Sequence, residues 1–246
     1  MTLFWGSNPK AVSEHCHPTV QLVLATQNSF SSKNKRGDWV EKTGLLIAPN
    51  YLHECNAKNV RILSIDIDSE SALGEWVIKY YLKDKKIIDF PIEHNDTINF
   101  EELSHKFKNK NWNDIRAIIE NLFSFQQTFE SSQKDDRIEN VLNFISKNID
   151  KQISTKKLTE VAFLSESRLL HLFKETMGLP IRNYILWFRL KIAFAETLKG
   201  YSLTKAAYVA GFSDQAHMTR TCVKMIGLSP SLLSKNSKFI QVYFPK

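Results

Sequence analysis

Residues 158–233 contain the same pattern twice, and this repeat limits the folds that the chain can adopt. Ser165 is matched by Ser213 after 48 residues, and Gly178 is matched by Gly227 after 49. Each half indicates a short helix, a tight turn and a second helix that begins at the serine and ends at the glycine. Serine caps helix N-termini, and glycine ends helices in the left-handed conformation. The repeat therefore predicts two helix-turn-helix units in one chain.

The segment between the two units indicates one long helix over residues 181–198, which Gly200 ends. At a rise of 1.5 Å per residue this helix would be about 27 Å long, close to the ~34 Å of one DNA turn. Residues 135–246 hold 17 Lys and Arg against 9 Asp and Glu, whereas residues 1–134 hold 16 against 17. This asymmetry predicts that the C-terminal part meets a polyanion.

The second helix of each unit carries side chains that suit DNA. Packing Leu169 and Phe173 inward turns the rest of the first such helix outward, and the major groove of DNA admits an α-helix. Gln215 suits adenine and Arg220 suits guanine. The predicted DNA-binding residues are Ser167, Arg168, His171, Lys174, Asp214, Gln215, His217, Thr219 and Arg220.

Residues 1–98 indicate short strands separated by polar turns, which predicts a small barrel or sandwich. Within one of these strands Asp66 and Asp68 alternate with isoleucines, so we expect both carboxylates on a solvent-exposed face. The sequence offers no nucleophile with a base and a third orienting group. We therefore predict no catalytic residue and no enzymatic activity.

Residues 99–130 change to a helical period, and Ile115, Ile119 and Leu122 form one apolar stripe. This stripe either packs on the barrel of its own chain or pairs with the same helix of a second copy in a homodimer. Residues 131–136 are polar and predict a linker to residues 137–246.

The C-terminal region is similar to the DNA-binding domain of AraC/XylS-type transcriptional regulators. The strongest match runs from Ala210 through Gly211-Phe212-Ser213-Asp214 to Gln215, and continues at residues 227–230, Gly-Leu-Ser-Pro. The resemblance implies binding to double-stranded promoter DNA and control of transcription, commonly as an activator that contacts RNA polymerase.

The N-terminal region resembles the cupin-like domain of the same family through His15-x-His17, Gln21, residues 44–49 and His53. The implied fold class is α+β: a cupin-like β-barrel with following helices, then an all-α domain of two helix-turn-helix motifs joined by a long helix. The resemblance also implies a small-molecule effector of unknown identity, held in a pocket that includes these three histidines and Gln21.

Two other interpretations stay open. Metal-binding cupins have a glutamate where Gln21 stands, so we predict no metal and no cofactor, but His15, His17 and His53 leave a metal-binding cupin enzyme or metal sensor as the alternative. The third interpretation is a constitutive DNA-binding protein whose first part only dimerises.

The second unit departs from the family where Met218, Cys222-Val223 and Ser234 replace larger residues. Smaller core residues predict looser packing there.

Three scattered cysteines give no disulfide framework and no zinc-finger spacing. The first residues show no basic segment followed by an apolar run, and no window of about 18 apolar residues exists. We therefore predict a cytoplasmic protein with no membrane partner.

Overall fold

A computed structural model describes residues 1–7, 10–90, 99–109 and 111–232, apart from the side chains of residues 104, 107 and 108, and the backbone alone of residues 237–242. Strands dominate the first part and helices the second, as the predicted α+β class requires. Among the described residues, no helix is both long enough and apolar enough to cross a membrane.

The strands of the described part form two antiparallel sheets, with orders β10-β1-β8-β3-β6-β9 and β2-β7-β4-β5. The strands are β1 Thr2–Gly6, β2 Val12–His15, β3 Thr19–Ala25, β4 Phe30–Lys33, β5 Trp39–Lys42, β6 Gly44–Ile47, β7 His53–Asn56, β8 Ile62–Asp68, β9 Ile87–Asp89 and β10 Ser237–Val242.

The six-stranded sheet is covered on both faces. Val23, Ile47 and Cys55 belong to a core between the two sheets, whereas Leu22 and Ile65 face a second core that is shared with helices. The central strands β3 and β8 are buried on both sides, which explains their nearly continuous apolar sequences.

The helices of the described part follow the predicted helical regions, except that α1 and the turn after it lie within residues 1–98, where the sequence indicated strands and turns. They are α1 Ala72–Val77, α2 Phe100–Lys108, α3 Trp112–Leu122, α4 Asp136–Lys147, α5 Thr155–Ala162, α6 Glu166–Met177, α7 Ile181–Leu198, α8 Leu203–Val209 and α9 Gln215–Ile226, with a π-helical turn at Ile78–Leu82 after α1.

The apolar stripe of α3 packs on its own chain. Ile115, Ile119 and Leu122 are buried in the core that covers the six-stranded sheet. Trp76 of α1 fixes the end of this layer, because its indole N–H donates to the carbonyl of Phe123 at 2.9 Å. The predicted linker is also held: the N–H of Ser132 donates to the Glu75 carboxylate at 2.6 Å.

The helical part contains two cores, one for each helix-turn-helix unit. We call α5 with α6 the first head and α8 with α9 the second head. α4 packs with the first head, and α7 contributes apolar side chains to both cores. This position of α7 matches the predicted spacer between two reading heads.

The polypeptide returns to the first sheet after the second head. Strand β10 pairs with β1 in antiparallel register, with Phe4 opposite Ile240. The sequence analysis placed this segment with the DNA-binding region. The structure differs, because β1 is paired with β8 on one side and β10 pairs along its other side.

The expectation that Asp66 and Asp68 lie on a solvent-exposed face is wrong: both are half-buried, and Asp66 accepts from the Thr19 hydroxyl at 3.3 Å. The two carboxylate oxygens of Asp68 accept from the Lys191 ammonium of α7 and from the N-terminal amino group of Met1, each at 2.7 Å. The alternation of β8 does bring both aspartates to one face, but α7 covers that face. Burial of an ion pair requires this kind of direct partnering.

Candidate nucleic-acid interface and histidine cluster

Helices α6 and α9, the predicted recognition helices of the two heads, begin at side-chain caps. Ser165 Oγ accepts from the N–H of Arg168 at 3.4 Å, as the repeat predicts. In the second head the cap is Asp214, whose Oδ1 accepts from the N–H of His217 at 2.6 Å. The predicted cap, Ser213, instead donates its hydroxyl to Asp214 at 3.0 Å. A carboxylate cap at a helix N-terminus also interacts favourably with the helix dipole.

Both recognition helices end at a glycine in the left-handed conformation. Gly178 has φ +72° and Gly227 has φ +77°. A Cβ at Gly227 would lie 2.5 Å from a methyl of Val12 and 2.6 Å from the carbonyl oxygen of Ser13. Glycine is therefore required at position 227 by backbone conformation and by close contact with β2.

Seven of the nine predicted DNA-binding side chains are exposed: Ser167, Arg168, His171, Lys174, Asp214, Gln215 and Arg220. His217 and Thr219 are half-buried, and the His217 ring packs edge-on against Phe212 at 5.3 Å between centroids. Local contacts orient part of this set: Gln215 Oε1 accepts from the Thr204 hydroxyl at 2.6 Å.

An acidic side chain makes local contacts on each of the two helices. His171 Nε2 lies 3.1 Å from Glu175 Oε1 on α6, and both side chains are more than half exposed. The cap lowers the pKa of Asp214, first through the N–H of His217 and then through the Ser213 hydroxyl, with a smaller contribution from Arg220. The Asp214 carboxylate thus stabilises the N-terminus of α9.

A cleft of about 930 Å³ lies between the two heads. Its lining includes Lys151 and Arg182, together with Leu170 from α6 and His217 from α9. Arg189 at the same cleft has a structural role, because its guanidinium donates to the carbonyls of Ile149 at 3.1 Å and Lys151 at 2.7 Å.

A second group of functional side chains lies at the junction of the sheets and the helices. His15, His17 and His53, here called the histidine cluster, are buried, with ring centroids 4.2–5.6 Å apart. Pairing of β2 with β7 places His15 opposite His53. The ring of His17 lies 6.1 Å from the ring of Trp187 in α7.

The cluster is electrically neutral near neutral pH. Burial lowers the pKa of His17 to about 3 and that of His53 to about 2, with further lowering by neighbouring histidines, and burial also lowers the pKa of His15. Gln21, predicted for the same pocket, acts against this lowering at His17 and donates its amide to the Ser64 hydroxyl at 3.2 Å. The structure therefore brings the four predicted pocket residues together.

Comparison with known proteins identifies the helical part of the chain. Residues 158–236 match the model of a helix-turn-helix domain. The probable transcriptional regulator LumQ of Photobacterium leiognathi is 36% identical over 104 residues, which cover 40% of this chain and 41% of LumQ. Residues 158–236 are an AraC-type helix-turn-helix domain. The chain spans less than half the length of LumQ, so this likeness concerns the domain alone.

Solved structures extend the likeness to the whole fold. ToxT from Vibrio cholerae O395, bound to (E)-4-(8-methylnaphthalen-1-yl)but-3-enoic acid, has a TM-score of 0.60 at 15% identity, covering 95% of this chain and 98% of ToxT. ToxT from strain SCE256, bound to an unsaturated fatty acid, has a TM-score of 0.55 at 13% identity, covering 96% and 95%. This likeness confirms the predicted architecture of an N-terminal β domain with an AraC-type domain.

Sequence reasoning missed several residues around the AraC-type domain. Phe163 is 90% exposed in the turn of the first head and has φ +52°, and Tyr208 of the second head is 79% exposed. Asn50 and Ser13 were also missed: the Asn50 amide donates to the Gly178 carbonyl and the Ser13 hydroxyl to the Gly227 carbonyl, both at 3.0 Å. No local pattern could reveal such contacts between distant segments.

Of the residues that the sequence analysis singled out in the second head of the AraC-type domain, Met218 and Cys222 lie in the core, but Val223 is 39% exposed. Met218 and Cys222 are fully buried, and the Cys222 thiol donates to the Leu228 carbonyl at 3.1 Å. In the first head, the position that corresponds to Cys222 is occupied by Phe173, which is also fully buried. Ser234 lies outside the described residues.

Proposed function

We propose that this chain is a sequence-specific regulator of transcription, in which α6 and α9 enter two successive major grooves of promoter DNA. In this proposal a small effector bound in the N-terminal part controls the AraC-type domain. The observation that carries the proposal is a pair of capped recognition helices, joined by α7 in one chain and exposing seven of the nine predicted DNA-binding side chains.

The dimensions of the spacer support binding to successive grooves. The 18 residues of α7 give about 27 Å of helix, of the same order as the ~34 Å turn of DNA. His171 of α6 and Arg220 of α9 occupy equivalent positions, 49 residues apart in the repeat. A single chain would therefore present two base-reading surfaces, as dimeric repressors do with two chains.

Contacts between the two parts support control by an effector. Ser13 and Asn50 bind the terminal carbonyls of α9 and α6, and Asp68 binds Lys191 of α7. A ligand that favours one arrangement of the N-terminal sheets would change the orientation of the helices through these contacts. ToxT, which shares the fold, has been solved with organic acids bound, and this supports a small-molecule effector here.

The proposal includes RNA polymerase as a partner at the promoter and places the protein in the cytoplasm, where promoter DNA is accessible. It also includes a homodimer, although the α3 stripe is already covered by its own sheet. The DNA-binding function needs neither partner, because both recognition helices belong to one chain.

The test is duplex binding measured by fluorescence anisotropy on the upstream region of the protein's own gene, over a salt series. Arg220→Ala should cost about 1–3 kcal/mol and relax the preference at one base position. Lys174→Ala should weaken binding to all sequences equally and reduce the slope against log salt by about one.

Lys58→Ala is the matched control, because Lys58 is an exposed lysine of the N-terminal part. It should leave both the affinity and the salt slope unchanged. Absence of salt-dependent duplex binding by the unmodified protein would refute the proposed function.

A further inference from the structure

The histidine cluster has features that the proposed DNA-binding function does not explain. One ring nitrogen of each histidine lies within 4.8 Å of one ring nitrogen of the other two. The Nε2 atoms of His17 and His53 are buried and have no hydrogen-bond partner. Burying polar nitrogens without partners costs free energy, so these two nitrogens, beside the third imidazole, indicate a ligand that uses their lone pairs.

Hydrogen bonding fixes which nitrogen of each ring carries the proton. Nδ1 of His15 lies 2.8 Å from the Ser13 carbonyl oxygen, and Nδ1 of His53 lies 2.8 Å from the Tyr51 carbonyl oxygen. Nδ1 of His17 lies 3.2 Å from the Thr19 carbonyl oxygen and 2.9 Å from the Thr19 hydroxyl, which itself donates to Asp66 at 3.3 Å and therefore accepts from Nδ1. A carbonyl oxygen only accepts, so Nδ1 is the protonated atom and Nε2 carries the lone pair.

This arrangement is the one that metal-binding histidines need. A ligating imidazole typically donates its second nitrogen to a carbonyl or carboxylate, which fixes the tautomer and the orientation of the ring. All three histidines have such a partner, although the sequence alone led us to expect no metal here.

We propose that His15, His17 and His53 bind one divalent transition-metal ion through their Nε2 atoms, with Zn²⁺ as the first choice. Metal–nitrogen distances of about 2.0–2.1 Å in tetrahedral geometry place the nitrogens about 3.3 Å apart. The ring nitrogens lie within 4.8 Å of one another, so the three rings would have to move closer together to bind the ion. A water molecule would occupy the fourth position, as it does in zinc sites with three protein ligands.

The inference rests on the proposed function in one respect: it makes the ion the effector that controls DNA binding. The Ser13 carbonyl accepts from His15, while the Ser13 hydroxyl donates to the last carbonyl of α9. The N–H of Asn50 donates to the His17 carbonyl at 2.7 Å, while its amide donates to the last carbonyl of α6.

Movement of His15 towards an ion would therefore be transmitted through Ser13 to the end of α9. Movement of His17 would be transmitted through Asn50 to the end of α6. The Trp187 ring beside His17 provides a third route, to α7. The ion would shift the regulator between two arrangements to the extent that its affinity for them differs.

The first measurement is metal binding by the full chain. Titration of the metal-free protein with Zn²⁺, using a chromophoric chelator as competitor, should give one ion per chain with submicromolar affinity. Co²⁺ in its place should give the visible absorption of a tetrahedral site, a signature that requires no variant. His17→Ala and His53→Ala should each weaken binding at least tenfold, since each removes one of three ligands.

His105→Ala is the matched control, because His105 is an exposed histidine of α2, and it should bind Zn²⁺ as the unmodified protein does. Circular dichroism and DNA binding without metal show whether each variant is folded. Substoichiometric binding, or equal affinity in His53→Ala and His105→Ala when both are folded, would overturn the metal site.

The second measurement is duplex affinity with and without Zn²⁺. A change of at least fivefold in the unmodified protein that disappears in His17→Ala supports the ion as effector, and an unchanged affinity despite bound Zn²⁺ overturns that role. If the unmodified protein binds duplex DNA but no metal, only the inference is refuted. Metal binding without duplex binding refutes the proposed function alone.

Discussion

The carboxylate of Asp68 joins the two parts of the molecule through a single side chain. It binds Lys191 of α7 and the N-terminal amino group of Met1, and only 13% of its own side chain is exposed. The Lys191 ammonium and the amino group hold the pKa of Asp68 at about 2, against the burial that would raise it. Because this pKa lies below that of the unfolded chain, the stabilisation is present above about pH 4 and is lost as the pH falls towards 2.

The pKa of Asp66, two residues earlier on β8, is shifted in the opposite direction. Burial is the main cause that raises its pKa to about 7, and the nearby Asp68 charge adds to this, whereas the Thr19 hydroxyl opposes it. Because this pKa lies above the unfolded value, the free energy of unfolding decreases as the pH rises from about 4 to about 7.

We therefore expect Asp66→Asn to be more stable than the unmodified protein at pH 8, by about 1–3 kcal/mol, and to lose this advantage at pH 4. Urea unfolding at a series of pH values measures the effect. Asp84→Asn, at an exposed position, should leave the pH dependence unchanged. If both variants follow the same pH profile as the unmodified protein, Asp66 is ionised throughout.

At the scale of elements, the turn of the second head touches the segment that follows α4. Gly211 has φ +83°, and a Cβ there would lie 2.4 Å from the Ile149 carbonyl oxygen and 3.0 Å from Arg189 Nε. The same Arg189 nitrogen donates to the Ile149 carbonyl. The turn therefore packs directly on the contact by which α7 holds the segment after α4.

Gly211→Ala should destabilise the protein by about 2 kcal/mol more than Gly200→Ala does. Both glycines have positive φ, but a Cβ at Gly200 meets no atom within 4 Å. Backbone strain is thus common to the two variants, and the steric clash is specific to Gly211. Urea unfolding compares them, and equal losses would show that the contact with Ile149 adjusts at no cost.

Elements of the AraC-type domain were predictable because their signals are local. Ser165 caps α6, Gly178 ends it, and α7 occupies the predicted residues 181–198. The alternation of β8 was equally visible, but its consequence at Asp68 was not, because the partner lies 123 residues away in α7. The sequence shows which face a side chain shares, and only the tertiary structure shows what covers that face.

The candidate sites follow the same division. Exposure of Arg168, Lys174 and Arg220 could be inferred from the inward positions of their helices. Grouping of His15 and His17 with His53 was suggested by resemblance. The hydrogen bond to Nδ1 of each ring and the contacts to the ends of α6 and α9 depend on backbone carbonyls from several segments, which no residue pattern records.

At the scale of the whole molecule, the AraC-type domain is connected to the N-terminal sheets at both ends. Before α4 the chain is held by Ser132 and by Lys134, whose ammonium donates to the Glu70 carbonyl at 3.0 Å. After α9 it returns as β10 beside β1. The orientation of the two heads relative to the sheets is thus restrained by two connections instead of one linker. An effector that changes this orientation must overcome both connections.

A chain that ends at Leu232 lacks β10 and leaves β1 as an unpaired edge. Exposed edges of this kind template pairing with other chains, so we expect this truncation to lower the urea midpoint and to increase self-association in light scattering. A chain that ends at Val242 keeps β10 and is the matched control. Equal behaviour of the two truncated chains would show that β10 does not protect the edge.

Pairing of β1 with β10 is also delayed during synthesis, because β10 is translated long after β1. About 230 residues separate the two strands, which at 5–20 residues per second corresponds to a delay of roughly 10–50 s. Strand β8 reaches β1 early, but the other side of β1 waits for the whole AraC-type domain to be translated. The nascent chain therefore carries an open sheet edge for most of its time on the ribosome, and this edge is where a chaperone would have the longest opportunity to act.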